Sequence, residues 1–208
     1  KWKDNIDTLL QYPVQHISCY AMTIEPRTAL HAMIAKNKLP APDDDGAGRQ
    51  YEYLIHRLME AGYEHYEISN FARKGYRARH NSSYWKNEPY LGIGPSAHSY
   101  NGTERKWNIS NNAQYIHKIM QDEIPCETER LTRSEKINEM IMVSLRTSDG
   151  LPLPTFWPML ADEEVNNFKQ KMNAFIASGM LIIGEDEHLR LTDKGKLFAD
   201  GIAADFFI

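Results

Sequence analysis

Cysteine is scarce in this 208-residue chain: only Cys19 and Cys126 are present, far apart in the sequence. Two such thiols build no disulfide framework, and by themselves hold neither a zinc ion nor an iron–sulfur cluster. No apolar run approaches the roughly 18 residues of a membrane span, and no hydrophobic signal region follows the basic start, so membrane-spanning and secretory readings fall away. Neither sign of charge dominates, since 24 Lys and Arg face 28 Asp and Glu for a formal net charge of -4. There are no internal repeats and no low-complexity tract. An initiator Met is missing too. The chain opens at Lys1 directly into an amphipathic stretch and is expected to be a piece of a longer protein.

The charge is unevenly spread. Residues 155–208 hold 5 basic and 9 acidic side chains, which accounts for the whole deficit, and residues 1–154 are neutral. Within the neutral part no acid occurs between Glu67 and Glu88, whereas Arg73, Lys74, Arg77, Arg79 and Lys86 do. Such a stretch attracts a carboxylate or phosphate by Coulomb forces. A solvated loop has the same composition, so both readings stand.

Breakers and periodicity divide the chain. Residues 4–11 read as a helix end stopped by Pro13, and residues 14–22 as a buried strand rich in strand formers. A short helix around 28–36 and a Pro- and Asp-rich loop come next. A clear helix follows, with Tyr51, Leu54, Ile55, Leu58 and Met59 on one stripe and Gly62 as its stop. Tyr63 to Ser69 reads as a second strand, completing the alternation of a parallel α/β sheet. Residues 70–110 lack periodicity but are rich in aromatic side chains, the mark of an ordered, functional loop region. Helices are expected at about 111–121 and 133–146, the latter opened by the capping-box spacing Thr132-Arg-Ser-Glu135. Gly150-Leu-Pro-Leu-Pro154 reads as a joint. Beyond it, a short helix near 155–160, a longer one striped with Val165, Phe168, Met172, Phe175 and Ile176, a hairpin of Met180–Ile183 and His188–Leu191, and a closing helix follow in winged-helix order.

The densest chemistry lies in Arg79-His80-Asn81-Ser82-Ser83-Tyr84-Trp85 and Tyr90-Leu-Gly-Ile-Gly-Pro-Ser-Ala-His-Ser99. A histidine flanked by aromatic faces and cations suits a planar, apolar, dianionic ligand, and haem fits because its iron accepts an imidazole nitrogen. Equally, His80 and Asn81 could hold the loop together by hydrogen bonds to backbone. Gly92-Ile-Gly94-Pro lacks the spacing of a phosphate cradle and reads as a turn that brings backbone close to a ligand or a neighbouring strand. His98 suits a site or a packed core. Tyr20 to Glu25 and Tyr66 to Phe71 follow strand ends where ligands gather, or else serve packing, with Glu25 capping the next helix. The winged-helix order raises DNA binding, but Asp162-Glu-Glu164 and Glu185-Asp-Glu187 would meet phosphate with like charge, so no nucleic-acid partner is expected.

Five ordered motifs carry a resemblance. His16-Ile-Ser-Cys-Tyr, Thr23-Ile-Glu-Pro-Arg-Thr28, Tyr66-Glu-Ile-Ser-Asn-Phe-Ala72, His80-Asn-Ser-Ser-Tyr-Trp85 and Gly92-Ile-Gly-Pro-Ser-Ala-His-Ser99 resemble, in that order, the HemN/HemW family of radical S-adenosylmethionine proteins. The resemblance spans essentially the whole chain, and His-Asn-x-x-Tyr-Trp marks the HemW branch, regarded as haem chaperones. It implies His80 as a haem-iron ligand, with Asn81, Tyr84 and Trp85 around it and Arg77, Arg79 and Lys86 as propionate partners. Thr23 and His98 fall near family positions on the far side of the S-adenosylmethionine pocket. The family's Cys-x-x-x-Cys-x-x-Cys motif for a [4Fe–4S] cluster is not in this sequence. The cluster and S-adenosylmethionine are therefore expected only in a full-length parent, and the chain alone is expected to be catalytically inactive.

The expected architecture is α/β: the last part of a partial radical-SAM barrel at 1–110, a helical connecting segment at 111–149, and a winged-helix-like domain at 150–208. The expected function is haem binding for transfer to acceptor proteins in the cytoplasm. Oxygen-independent oxidation of coproporphyrinogen III is the enzyme alternative, and a bare interaction module in the acidic C-terminal part is a third reading.

Overall fold

The computed structural model describes residues 1–208, the side chain of Asp44 excepted. The first layer comprises Trp2–Leu9 (α1), His16–Ser18 (β1), Ala29–Ala35 (α2), Asp44–Glu60 (α3), Glu64–Glu67 (β2) and Asn70–Ala72 (β3). Leu54, Ile55 and Leu58 of α3 pack against Ile6, Ile17, Tyr63 and Phe71 to form one core. The helical stripe is narrower than its sequence pattern, because Met59 sits at its edge and is 50% exposed. Gly62 ends the helix region at φ 82°, a left-handed conformation that costs a glycine little.

The parallel pairing expected of segments 14–22 and 63–69 does not form. β2 turns at Ile68 and Ser69 and returns as β3, which lies between β1 and β2 and is antiparallel to both. β1 and β2 thus run the same way without touching, and the fully buried Asn70-Phe-Ala segment occupies the centre of the sheet. The strand at 14–22 is also shorter than expected. Only Ile17 of β1 is buried, and the chain beyond Cys19 is irregular and largely exposed up to α2.

The expected irregular stretch 70–110 holds more structure than its pattern suggests. After β3 come Arg79–Trp85 (α4), His98–Tyr100 (β4) and Glu104–Asn108 (β5), followed by Asn112–Ile119 (α5) and Cys126–Arg130 (β6). β4, β5 and β6 form an antiparallel sheet with little burial, so hydrophobic alternation could not announce it. Opposite charges face each other across its strands, Glu104 against Arg130 and Arg105 against Glu129. Asn101 Oδ1 accepts from the backbone N–H of Thr103 and Glu104, at 2.9 and 2.7 Å, and closes the β4–β5 turn.

The remaining elements are Arg133–Leu145 (α6), Leu151–Pro152 (β7), Leu153–Phe156 (α7) with a 3₁₀ turn at Trp157–Met159, Asp162–Ala177 (α8), Leu181–Ile183 (β8), His188–Leu191 (β9), Asp193–Lys196 (α9) and Ala199–Asp205 (α10). Within the expected joint at 150–154, Leu151–Pro152 pairs as β7 with β9, opposite β8, and Leu153 opens α7. The capping box of α6 forms as its sequence suggests, Thr132 N donating to Glu135 at 2.7 Å and Glu135 N to Thr132 Oγ1 at 3.3 Å. Ile137, Ile141 and Leu145 of α6 join Phe156, Phe168 and Phe206 in a second core. Glu164 accepts from Ala161 N and from both terminal nitrogens of Arg133, tying α8 to α6, and these donors hold its carboxyl down at about 2. Among the described residues no helix is long and apolar enough to cross a membrane.

The two cores are joined along the free edge of β2. Ile68 N donates to Arg146 O at 3.0 Å and Ser148 N to Tyr66 O at 2.9 Å, with Glu67 bridging Thr147. Beside this seam His65 is 7% exposed, stacked on Phe71 at 4.2 Å, with Lys196 Nζ 3.1 Å from Nδ1. Burial first, then the Lys196 charge, push the His65 imidazole down to about 4.

A neutral His65 in the fold and a protonated one in the unfolded chain make stability depend on pH. The contribution is complete above about pH 6.5 and is lost as pH falls towards about 4, on the order of 3 kcal/mol in all. Burial raises the Glu67 carboxyl, which acts in the opposite sense, so a variant is needed to isolate the imidazole. Urea unfolding across this window should show the loss in the native chain and a flatter profile in His65→Gln.

Candidate functional site

The approach to α4 is pinned by aromatic and charged contacts. Tyr66 OH lies 2.8 Å from His16 Nε2 and accepts from Ala78 N at 3.4 Å, at the start of α4. Arg77 sits over the Tyr66 ring at 5.5 Å and pairs with Glu64 at 3.2 Å and Asp149 at 3.1 Å. Ser82 Oγ and Ser83 Oγ donate back to the carbonyls of Ala78 and Arg79, at 2.8 and 3.2 Å. These contacts fix a short helix that has no side-chain N-cap.

At 3.6 residues per turn, α4 divides the residues singled out in the sequence between faces. Arg79, Ser82, Ser83 and Lys86 point into a cleft of about 650 Å³ that Arg77 and Asp149 also line. His80 and Tyr84 lie on the neighbouring face. Trp85 turns towards α6, its ring under the Arg146 guanidinium at 5.6 Å, and its buried Nε1 has no hydrogen-bond partner among the described residues. Asn81 is half-buried between these faces.

From His80 a ladder of rings runs to the second sheet. The His80 and Tyr84 centroids are 5.0 Å apart, Tyr84 and Tyr90 4.9 Å, and Tyr90 and Tyr100 6.2 Å. Tyr90 is held on the β4 edge by two backbone hydrogen bonds of 2.9 Å with Tyr100. The Gly92-Ile-Gly94 turn then crosses the strand. A Cβ on Gly92 would collide with the His98 backbone, and Gly92 N donates to Ser99 Oγ at 3.0 Å. The close neighbour of this turn is therefore a strand. Asn108, buried on β5, donates to Gly94 O at 2.9 Å and locks the other side.

A groove of about 550 Å³ lies beside this turn, lined by Tyr90, Leu91, Ile93, Tyr100, Ile119 and Ile124. Leu91 and Ile93 belong to the Tyr90–Ser99 run read in the sequence, whereas Ile119 and Ile124 were not singled out by it. Their one signal is that α5 and its flank carry apolar residues on a segment with almost nothing buried.

The remaining candidates lie apart from α4. Thr23 is exposed in the irregular segment after β1, its hydroxyl 3.4 Å from Glu25, and His98 sits on β4 beside Trp107 at 6.3 Å. Thr28 caps α2, accepting from His31 N at 3.2 Å, so the capping role considered for Glu25 belongs to Thr28. In the Tyr66 to Phe71 run the polar groups satisfy one another: Glu67 accepts from Ser69 N at 3.1 Å and from Asn70, which accepts from Ser18. That network closes the β2–β3 turn.

Residues 131–198 match the family model of the HemN C-terminal domain. The chain is 34% identical over 199 residues to "Heme chaperone HemW" of Mycobacterium tuberculosis, covering 95% of this chain and 49% of that protein. It is 30% identical over 203 residues to "Heme chaperone HemW" of Bacillus subtilis, covering 97% and 53%. The chain belongs to the HemN/HemW family. It matches the family's C-terminal portion and spans about half the length of the curated relatives it matches. A family member from Mus musculus, "Radical S-adenosyl methionine domain-containing protein 1, mitochondrial", is 31% identical over 214 residues, covering 97% and 48%. In fold, the solved coproporphyrinogen III oxidase (HemN) of Escherichia coli, a radical SAM enzyme, superposes with a TM-score of 0.73 at 17% identity, over 99% of this chain and 51% of that one.

Gly92 is the position where a single methyl group tests the turn. Gly92→Ala forces the turn off β4, and a loss of about 2 kcal/mol or more is expected in urea unfolding, as for other overpacked sites.

Proposed function

We propose that this chain binds haem, with His80 as the axial ligand, and that its parent is a HemW-type protein that hands haem to acceptor proteins. One observation carries the reading: His80 stands exposed on α4, its ring edge-on to Tyr84 at the head of the tyrosine ladder. No hydrogen bond or ion pair among the described residues engages its nitrogens, so coordination has no competitor to displace. Relatives named haem chaperones over nearly the whole chain support it. Arg79 and Lys86, on the adjoining face, are the propionate partners that the family resemblance implies, with Arg77 alongside but already paired with Glu64 and Asp149; all three line the cleft. Asn81, Tyr84 and Trp85 form the surroundings.

The donors in this chain do not fit a [4Fe–4S] cluster. Cys19 follows β1 in the first sheet and Cys126 lies on β6 in the second, and among the described residues no group of three or more His, Cys, Asp or Glu is placed to hold a metal ion. We assign the cluster and S-adenosylmethionine to the full-length parent, where Thr23 and His98 would face the far side of the cofactor pocket. The domain reading is likewise ours: the end of a partial barrel at 1–110, a connecting segment at 111–149 and a winged-helix-like module at 150–208. In that module Asp162-Glu-Glu164 and Glu185-Asp-Glu187 weigh against a DNA partner, and a cytoplasmic location completes the proposal. The likeness to coproporphyrinogen III oxidase favours a second reading, oxidative decarboxylation of coproporphyrinogen III by the parent; it is a likeness of fold alone.

Titration with haemin tests the ligand role. The native chain should develop a shifted Soret band, and His80→Ala should bind roughly tenfold more weakly or worse, a change of at least ~1.4 kcal/mol. An unchanged band and affinity in His80→Ala would overturn the assignment.

A further inference from the structure

Resting on the haem-binding reading, we infer that the tetrapyrrole is received by the apolar groove between the Leu91–Gly94 turn and α5, and not by the larger cleft that α4 lines. The two differ in chemistry. The cleft is lined by Arg77, Arg79, Ser82, Ser83, Lys86 and Asp149 beside Tyr66, Trp85, Pro152 and His188, with no aliphatic Leu, Ile or Val among them. The groove is lined by Leu91, Ile93, Ile119 and Ile124 with the rings of Tyr90 and Tyr100, and its volume of about 550 Å³ falls within the range usual for small-molecule sites.

The apolar exposure is built in. Leu91 is 79% exposed, Ile93 84% and Ile124 75%, each a cost to the chain in water. A slack loop could turn such side chains inward. This one is held on both sides, by Gly92 against the His98 backbone and by Asn108 on Gly94 O. Rigid presentation of large aliphatic side chains next to aromatic rings suits a flat, apolar ligand.

Position agrees with that occupant. Tyr90 lines the groove and touches Tyr84, which touches His80, so two ring contacts of 4.9 and 5.0 Å bound the separation between groove and imidazole. Lys106 on the groove wall, with Glu104 on the same wall, offers a cation to one carboxylate edge in place of Arg79 and Lys86, which line the cleft. Cys126, a free thiol on the same wall, reports occupancy, and Cys19 lies outside the groove as an internal control.

The experiment is haemin titration of the full chain carrying Ile93→Asp or Ile124→Asp, beside native chain and His80→Ala. Both groove positions are exposed, so folding should survive, as unfolding curves will check. Groove variants should bind haemin roughly tenfold more weakly, and haemin should slow alkylation of Cys126 but not of Cys19. Native-like affinity in the groove variants with weakened binding in His80→Ala overturns the groove and leaves the haem reading standing. No haemin binding by the native chain removes both. A shift in oligomeric state in Ile93→Asp or Ile124→Asp with haemin affinity unchanged makes the groove a self-association face and also overturns the inference.

Discussion

The outer edge of β2 is the seam on which the rest depends. Its main-chain groups would stand unpaired at a sheet edge, an open invitation to misassembly. They are instead met by the segment leaving α6, through the hydrogen bonds between Ile68 and Arg146 and between Ser148 and Tyr66. Two separate hydrophobic cores lie on either side of this pairing. The polar side chains on it, Glu67 and His65, are buried because each has a partner: Asn70 and Ser69 for the carboxylate, Ile68 O and Lys196 for the imidazole. Partners of this kind reduce the cost of burying groups that would otherwise be strongly destabilising.

The same seam positions α4. Tyr66, whose carbonyl takes part in the pairing, turns its hydroxyl to the first turn of that helix, and Arg77 crosses from Glu64 at the start of β2 to Asp149 just past the seam. The helix is short and uncapped, so its place is set by these tertiary contacts and not by its own propensity. From it, aromatic side chains reach the second sheet, whose β4 strand packs against the glycine turn. Haem binding at His80 would thus draw on three elements that no single local signal connects.

Much of the fold was legible locally. The α3 stripe, the α6 capping box, the α8 stripe and the β8–β9 hairpin all follow patterns that need only neighbouring residues. Two features were not legible. β3 is a three-residue strand whose pairing partner is chosen by a turn without a Gly or Pro signal, so its insertion between β1 and β2 is visible only in space. β5 and β6 are nearly all charged or polar, and burial-based periodicity is silent where Glu104 faces Arg130 and Arg105 faces Glu129. Of the candidate site, the residue types were readable in the run from Arg77 to Lys86. Their division between two faces of α4 was not, nor was the groove formed by residues from 90 to 126.

The sequence by itself determined the class of chemistry available: a histidine among aromatics and cations, two thiols too few for a cluster, and an acidic C-terminal part. These are properties of composition and short motifs, which survive without a fold. Only the tertiary structure decided which of those groups act together. Contact between Tyr84 and Tyr90, or between Gly92 and the His98 backbone, depends on sheet register and helix rotation. Those are set by packing and hydrogen bonding between segments distant in the chain.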